Sequence, residues 1–298
     1  MLLGTVGHVT SMVKALQGMG FDIPTPRLVF TGSNKSGVRT VAESVMGMKL
    51  IPYNLCHPFE IHFVHVAGKV DIVCRLNFNQ TRYIFPGDAW SFKRDTEQHV
   101  KTLSDSTDER IIMTVESSQV PDMHVLQSCT TDVSQIESFD IAVFVIAANN
   151  VPSEDVLQSL KTSSPPFIGV LTKLDMVDLG MASKMLWGNS LSLPFGLIGF
   201  VYDKQVGSDW LAKHPVYSTF PPELRGVEAI TKKVGLEMKA RYVEILKRMQ
   251  GDLDRKKASL GERLAVMGES KATNEETEER NTVVQQLKTL EDVEKFVA

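Results

Sequence analysis

A doubly wound α/β fold with a mostly parallel central sheet, followed by a helical extension, is the class this sequence predicts. Three observations predict it. FDIAVFVIAA (139–148) and the first part of PPFIGVLTKLD (165–175) are continuous apolar runs, as expected of strands buried on both faces of a parallel sheet. Helical segments, SEDVLQSLK (153–161) and MASKMLWGN (181–189), alternate with such strands. From Gly226 the apolar period changes to three or four residues, the mark of amphipathic helices.

Taken in order, Val9, Met12, Val13, Leu16 and Met19 recur at helical spacing and predict an N-terminal helix within residues 1–24. PTPRLVFTG (24–32) reads as a short strand bounded by prolines and a glycine, and RTVAESVMG (39–47) as a helix closed by Gly47. FEIHFVHVAG (59–68) and KVDIVCRLNF (69–78) read as two strands, with a turn near GKV that would join them as a hairpin. Residues 90–110 are polar and read as helix and loop. RIIMTVES (110–117) and MHVLQS (123–128) are strands on either side of the turn SQVPD. Ser153 is placed to cap the helix that follows it. GLIGFVYD (196–203) is the last strand. Ile230, Val234, Met238, Tyr242, Ile245, Met249 and Leu253, continued by Leu260, Leu264 and Met267, predict one long helix or a bent pair. KATNEETEER (271–280) reads as a polar linker. Val283, Leu287, Leu290 and Phe296 predict a further helix whose apolar stripe has no obvious partner within the chain. The expected divisions are residues 1–24, 25–225 and 226–298.

Composition excludes several classes. The chain has 298 residues, 43% hydrophobic and 23% charged, with a net charge of −4. No basic block or basic–aromatic stripe suggests nucleic acid as a partner, and no segment reads as a direct membrane-binding element. The apolar runs fall short of the ~20 residues that span a bilayer. Cys56, Cys74 and Cys129 form no CxxC, so a reducing compartment, the cytoplasm, is expected. The N-terminus, with one lysine and no acid before Asp22, leaves an organellar address open. His62 and His65 are three apart in a strand and point to opposite faces, which argues against a metal site among His57, His62 and His65.

One loop asks for chemistry. GSNKSGVRT (32–40) lies between a predicted strand and a predicted helix, the setting of a phosphate-binding loop, G-x-x-x-x-G-K-S/T. Gly32 and Gly37 have that spacing, but Val38 stands where the lysine belongs and Arg39 where the hydroxyl belongs. Sliding the register to use Arg39 and Thr40 leaves one residue too many after Gly37. A second signal is LTKLD (171–175) at the end of a buried strand, the place of the T/N-K-x-D motif that reads guanine. There the Asp175 carboxylate would accept from the base N1–H and exocyclic amine, and the Lys173 stem would lie over the ring.

With these residues in view, the chain resembles the GTPase domain of the dynamin superfamily from about residue 5 to its end. RLVFTGSNKSGVRTVAESVMG resembles that family's phosphate-loop strand, loop and first helix. GVLTKLDMVDLGMAS closely resembles its guanine-reading segment, GLIGFVYDKQ the strand before its last nucleotide motif, and WLAKHPVYS a segment beyond it. The helices after Gly226 resemble the end of the GTPase domain, the bundle signalling element and the start of the stalk. The remaining stalk, membrane-binding region and C-terminal effector helix have no counterpart. The resemblance implies a P-loop GTPase fold, a guanine nucleotide and Mg2+. The implied nucleotide contacts are Gly32, Ser33, Asn34, Lys35, Ser36, Gly37, Val38, Arg39 and Thr40 in the loop, and Thr172, Lys173, Asp175 and Lys204 around the base.

The departures gather at the phosphate and metal end. Val38 and Arg39 replace the lysine and the metal-binding hydroxyl. The expected switch I stretch, LIPYNLCHPFEIHF, has no threonine, Cys56 lying nearest. At switch II, Gln127 and Thr130 stand in place of the aspartate and glycine of D-x-x-G. Tyr202, Asp203 and Lys204 replace the last motif's N-K/R pair. These losses predict a pseudo-GTPase that acts as an interaction module, with no catalytic residue and no metal ligand assigned, binding GTP or GDP weakly or not at all. Lys173 and Asp175 are then either a relic or a residual base site. The expected partners are proteins, an active dynamin-like relative among them, and pairing with itself through the nucleotide face is not favoured. The alternatives are a divergent, active GTPase in membrane remodelling that uses Lys35, Arg39 and Thr40, and a purely structural subunit with its pocket filled by Val38 and Arg39.

Overall fold

The computed structural model describes the chain except residues 1, 34, 53–56, 80, 104–109, 129–135, 163–166, 188–195, 203–209, 268–273 and 298, and except the side chains of 2–5 and 274–276. In chain order the strands are β1 (Arg27–Gly32), β2 (Phe59–His65), β3 (Ile72–Leu76), β4 (Arg82–Phe85), β5 (Ile111–Ser117), β6 (Met123–Gln127), β7 (Ile141–Ala147), β8 (Phe167–Thr172) and β9 (Leu197–Gly199). The helices are α1 (Leu2–Gly18), α2 (Val38–Met46), α3 (Ala89–Val100), α4 (Glu154–Thr162), α5 (Leu179–Leu186), α6 (Trp210–Lys213), α7 (Gly226–Arg248), α8 (Gln250–Met267) and α9 (Asn274–Val297).

The strands form a nine-stranded sheet in the order β4-β3-β5-β2-β6-β1-β7-β8-β9. It is mostly parallel: β6, β1, β7, β8 and β9 run together, as do β2 and β5. Antiparallel pairs join β2 to β6, β3 to β5 and β3 to β4. The sequence reason is clearest in β7, every residue of which is buried. Ile141, Val143 and Val145 face one core with α1, α2 and α7. Ala142, Phe144 and Ile146 face a second core with α4 and α5. Period-2 alternation turned both ways is what a strand covered by helices on both sides requires.

α2 ends as its sequence predicts. Gly47 adopts the left-handed conformation, φ 73°, and its N–H returns to the Glu43 carbonyl. α1 buries Val6, Val9, Met12, Val13 and Leu16 in the core shared with α7 and α9. Tyr242 on α7, 1% exposed, donates its hydroxyl to the Pro24 carbonyl at 2.8 Å, tying the chain after α1 to that helix.

Five expectations are corrected. β2 and β3 are no hairpin: β5 lies between them, pairing parallel with the whole of β2 and antiparallel with β3, and so takes the place that a hairpin partner would need. β4 is a strand where none was expected. The polar linker is shorter than 271–280, since α9 begins at Asn274. α9 does have partners: it packs on α8, α1 and α7 and buries Val283, Leu290 and Val293. The last strand is also shorter than 196–203, covering Leu197–Gly199. Among the described residues, no helix is long and apolar enough to cross a membrane.

Candidate functional site

The loop from Gly32 to Gly37 leaves the C-terminal end of β1 and enters α2. T-K-L-D leaves the C-terminal end of β8, on the far side of β7. Parallel sheets bind ligands in the crevice at such strand ends. The two segments are tied directly: the Thr172 hydroxyl lies 2.5 Å from the Ser36 carbonyl oxygen and 3.1 Å from that of Ile146.

Each glycine of the loop answers a backbone demand. Gly32 pairs in register with Val145 on β7. A β carbon on it would stand 2.3 Å from the Val145 carbonyl oxygen, 2.8 Å from Ser36 Oγ and 3.0 Å from Val38 Cγ2. Gly37 is the left-handed residue, φ 89°, that turns the loop into α2. No side chain caps that helix, so its first N–H groups keep the donors that suit an anion.

The two residues after Gly37, Val38 and Arg39, make their contacts within the fold. Val38 is buried, its side chain packed back under the loop beside Gly32. Arg39 lies along α2 and pairs with the Glu43 carboxylate at 3.2 Å. Glu43 also accepts the Ile51 N–H at 3.1 Å, which anchors the chain beyond the helix. Burial raises the Glu43 pKa above the usual carboxylate value, and Arg39 opposes that rise. Removing Glu43 leaves a largely buried guanidinium short of a carboxylate. Glu43→Ala is expected to destabilise the chain by roughly 1.5–3 kcal/mol, read as a lower urea midpoint; an unchanged midpoint would show that Arg39 finds water instead.

Ser36, Gly37, Thr40, Thr172, Lys173, Asp175, Phe200, Val201 and Tyr202 line one cavity of about 180 Å3. Lys173 holds a left-handed conformation, φ 55°, at the start of a short 3-10 turn, Leu174–Met176. Leu174 is buried and its carbonyl accepts the Tyr217 hydroxyl at 3.1 Å, so Lys173 and Asp175 flank a fixed point. Asp175 itself is exposed. The Lys49 ammonium sits 5.9 Å from the centre of the Tyr202 ring. Nothing local in the sequence marks Lys49, because its position depends on how the chain folds back after α2.

Other predicted residues stand apart. Lys35 is exposed at φ 62° and does not line the cavity. Nor do Gly32, Ser33, Val38 or Arg39. Gln127 ends β6 and is buried, and among the described residues its Oε1, Ser33 Oγ and Ser36 Oγ have no hydrogen-bond partner. A neutral amide and two serine hydroxyls, with no carboxylate beside them in the loop, are a poor donor set for Mg2+. Asn34, Cys56, Thr130, Asp203 and Lys204 lie outside the described residues.

No protein-family model matches the chain. It is similar to a mitochondrial dynamin-like GTPase of Saccharomyces cerevisiae, 24% identical over 226 residues, which is 65% of this chain and 25% of the relative. The chain thus spans about a quarter of the length of the curated relative it matches.

Proposed function

We propose that this chain is a dynamin-like pseudo-GTPase, a GTPase fold that serves as an interaction module and binds guanine nucleotide weakly or not at all. The observation that carries the reading is the first turn of α2, where Val38 is buried under the loop and Arg39 is committed to Glu43. A working phosphate loop needs a cation on the β- and γ-phosphates and a hydroxyl on Mg2+. Neither position offers one. Gln127, a neutral amide at the end of β6, adds no charge to hold metal-bound water. Phosphoryl transfer rests on positioning and electrostatics, so these losses remove most of what such an enzyme supplies.

The base end supports the residual half of the proposal. Thr172 holds the loop to the T-K-L-D turn, and Lys173 and Asp175 border the cavity. At about 180 Å3 among the described residues, it is smaller than the roughly 300–1,000 Å3 of pockets for drug-sized ligands. It suits a base better than a whole nucleotide. The similarity to a dynamin-like GTPase supports proteins of that class as partners, met through the helices after Gly226 or by pairing with an active relative.

The test is a titration with fluorescent GDP, with and without Mg2+, beside a GTP hydrolysis assay. Turnover is expected at the level of the buffer blank in both conditions. Any saturable binding is expected to be indifferent to Mg2+ and to weaken about 10–100-fold in Asp175→Ala, the loss of hydrogen bonds to a charged acceptor. Mg2+-dependent hydrolysis abolished by Asp175→Ala would overturn the proposal and favour the divergent enzyme.

A further inference from the structure

Away from that cavity, the sheet brings three metal-ligating side chains together. Glu60 and His62 are two residues apart on β2 and so leave the same face. β6 runs antiparallel beside β2, and His124 is the register partner of His62. Directly opposed residues hold their β carbons about 4.5–5.5 Å apart, within reach of one ion. The two imidazoles stack with centroids 3.9 Å apart and planes 11° apart. Glu60 Oε1 stands 2.9 Å from His62 Nε2 and 3.8 Å from His124 Nδ1. One ligand atom from each residue lies within 4.8 Å of the others.

We propose that Glu60, His62 and His124 form a site for a divalent transition metal, Zn2+ above all, that bridges β2 and β6. Two imidazole nitrogens and one carboxylate oxygen are a donor set Zn2+ takes, with the fourth position left to water. Bonds of about 2.0–2.2 Å in a tetrahedron place ligand atoms roughly 3.4 Å apart, and the observed 2.9 and 3.8 Å straddle that spacing. Both rings approach the same carboxylate oxygen, Oε1, of Glu60, which is 7% exposed. Arg110 approaches the other carboxylate oxygen, Oε2, at 3.5 Å and leaves Oε1 to the ion. Arg27, the nearby cation on β1, is held by Asp140 and Glu137.

A hydrogen bond from His62 accounts for Glu60 alone. It gives no reason for a second imidazole at 3.8 Å, beyond hydrogen-bond range. In the stack the two ring planes, in which the nitrogen lone pairs lie, are nearly parallel and 3.9 Å apart between centroids, so binding turns the rings until the pairs converge. With 29% and 33% of their side-chain surface exposed, His62 and His124 have room to turn. The site is independent of the nucleotide cavity and stands whether or not nucleotide binds.

The test uses the full chain, stripped with EDTA and desalted, with Zn2+ measured by competition against a fluorescent chelator. One ion per chain is expected. His124→Gln and His62→Gln should each weaken it by more than the roughly 10–100-fold that outer-shell changes cause. Zn2+ should raise the melting temperature of the parent chain and of neither variant. Histidine ring NMR of the unmodified chain keeps the test free of any folding defect. The His62 and His124 resonances should shift first, ahead of His8, His57, His65, His99 and His214. No competition with the chelator, affinity unchanged in both variants, or shifts confined to other histidines would overturn the proposal.

Discussion

Asp140→Ala is expected to remove about 3–5 kcal/mol of folding stability, a large part of the about 5–15 kcal/mol of a domain of ordinary stability. Arg27 Nε and Nη2 donate to the two Asp140 oxygens at 2.7 and 2.5 Å, a two-pronged pair with side-chain exposures of only 13% and 3%. The Glu137 N–H donates to the same carboxylate at 2.7 Å. Arg241 on α7 reaches over to the carbonyls of Ser138, at 3.2 Å, and Asp140. The start of β1, the entry to β7 and α7 therefore meet at Asp140, β1 through its carboxylate and α7 through its backbone carbonyl. Truncation takes from a buried guanidinium the carboxylate that holds both of its prongs, and Glu137 beside it is 70% exposed. Asp140→Asn keeps the shape but turns one acceptor into a donor facing Arg27, so a smaller loss is expected. Urea unfolding reads both, as a fall in midpoint at unchanged slope. A loss below about 1 kcal/mol, the value of an exposed pair, would mean that water reaches Arg27 once the carboxylate is gone.

The pair also shows what a sequence hides. Arg27 and Asp140 are 113 positions apart, and nothing local marks them as partners. What is legible is what one strand or helix decides for itself. β7 and β8 read as buried parallel strands because their apolar runs are continuous, and α2 reads to its last residue because Gly47 closes it. The loop at the end of β1 and the T-K-L-D turn at the end of β8 read as one site because both follow buried strands, and Thr172 does meet Ser36. What is illegible is pairing. β2 and β3 follow one another in the chain, yet β5 separates them. The stripe on α9 announces burial without saying against what; α8, α1 and α7 supply the answer. The histidines make the same point. Strand parity correctly separates His62 from His65, but His124 comes from another strand, and only the register of β2 with β6 places it over His62.

Gly32→Ala is the second large effect expected, and it separates two reasons for a glycine. The new methyl would stand 2.3 Å from the Val145 carbonyl oxygen, a backbone atom of the neighbouring central strand that cannot swing away. Ser36 Oγ and Val38 Cγ2 close the other sides. Overpacking typically costs about 1–3 kcal/mol, and a clash with strand backbone belongs at the upper end, about 3 kcal/mol. Gly37→Ala meets open space, nothing nearer than Thr172 at 4.0 Å, but must hold φ 89°, so about 1–2 kcal/mol is expected. Lys35→Ala, exposed and outside the cavity, should move stability by less than about 0.5 kcal/mol. All three are measured on chain free of nucleotide, where a glycine needed only for phosphate would be dispensable. The expected order, Gly32 above Gly37 above Lys35, would mean that the fold alone demands both glycines. A chain can then lose the lysine and the hydroxyl and still carry the spacing of a phosphate loop. If all three changes were equally mild, the glycines would be answering to a ligand, and the loop would have to be read as a working site.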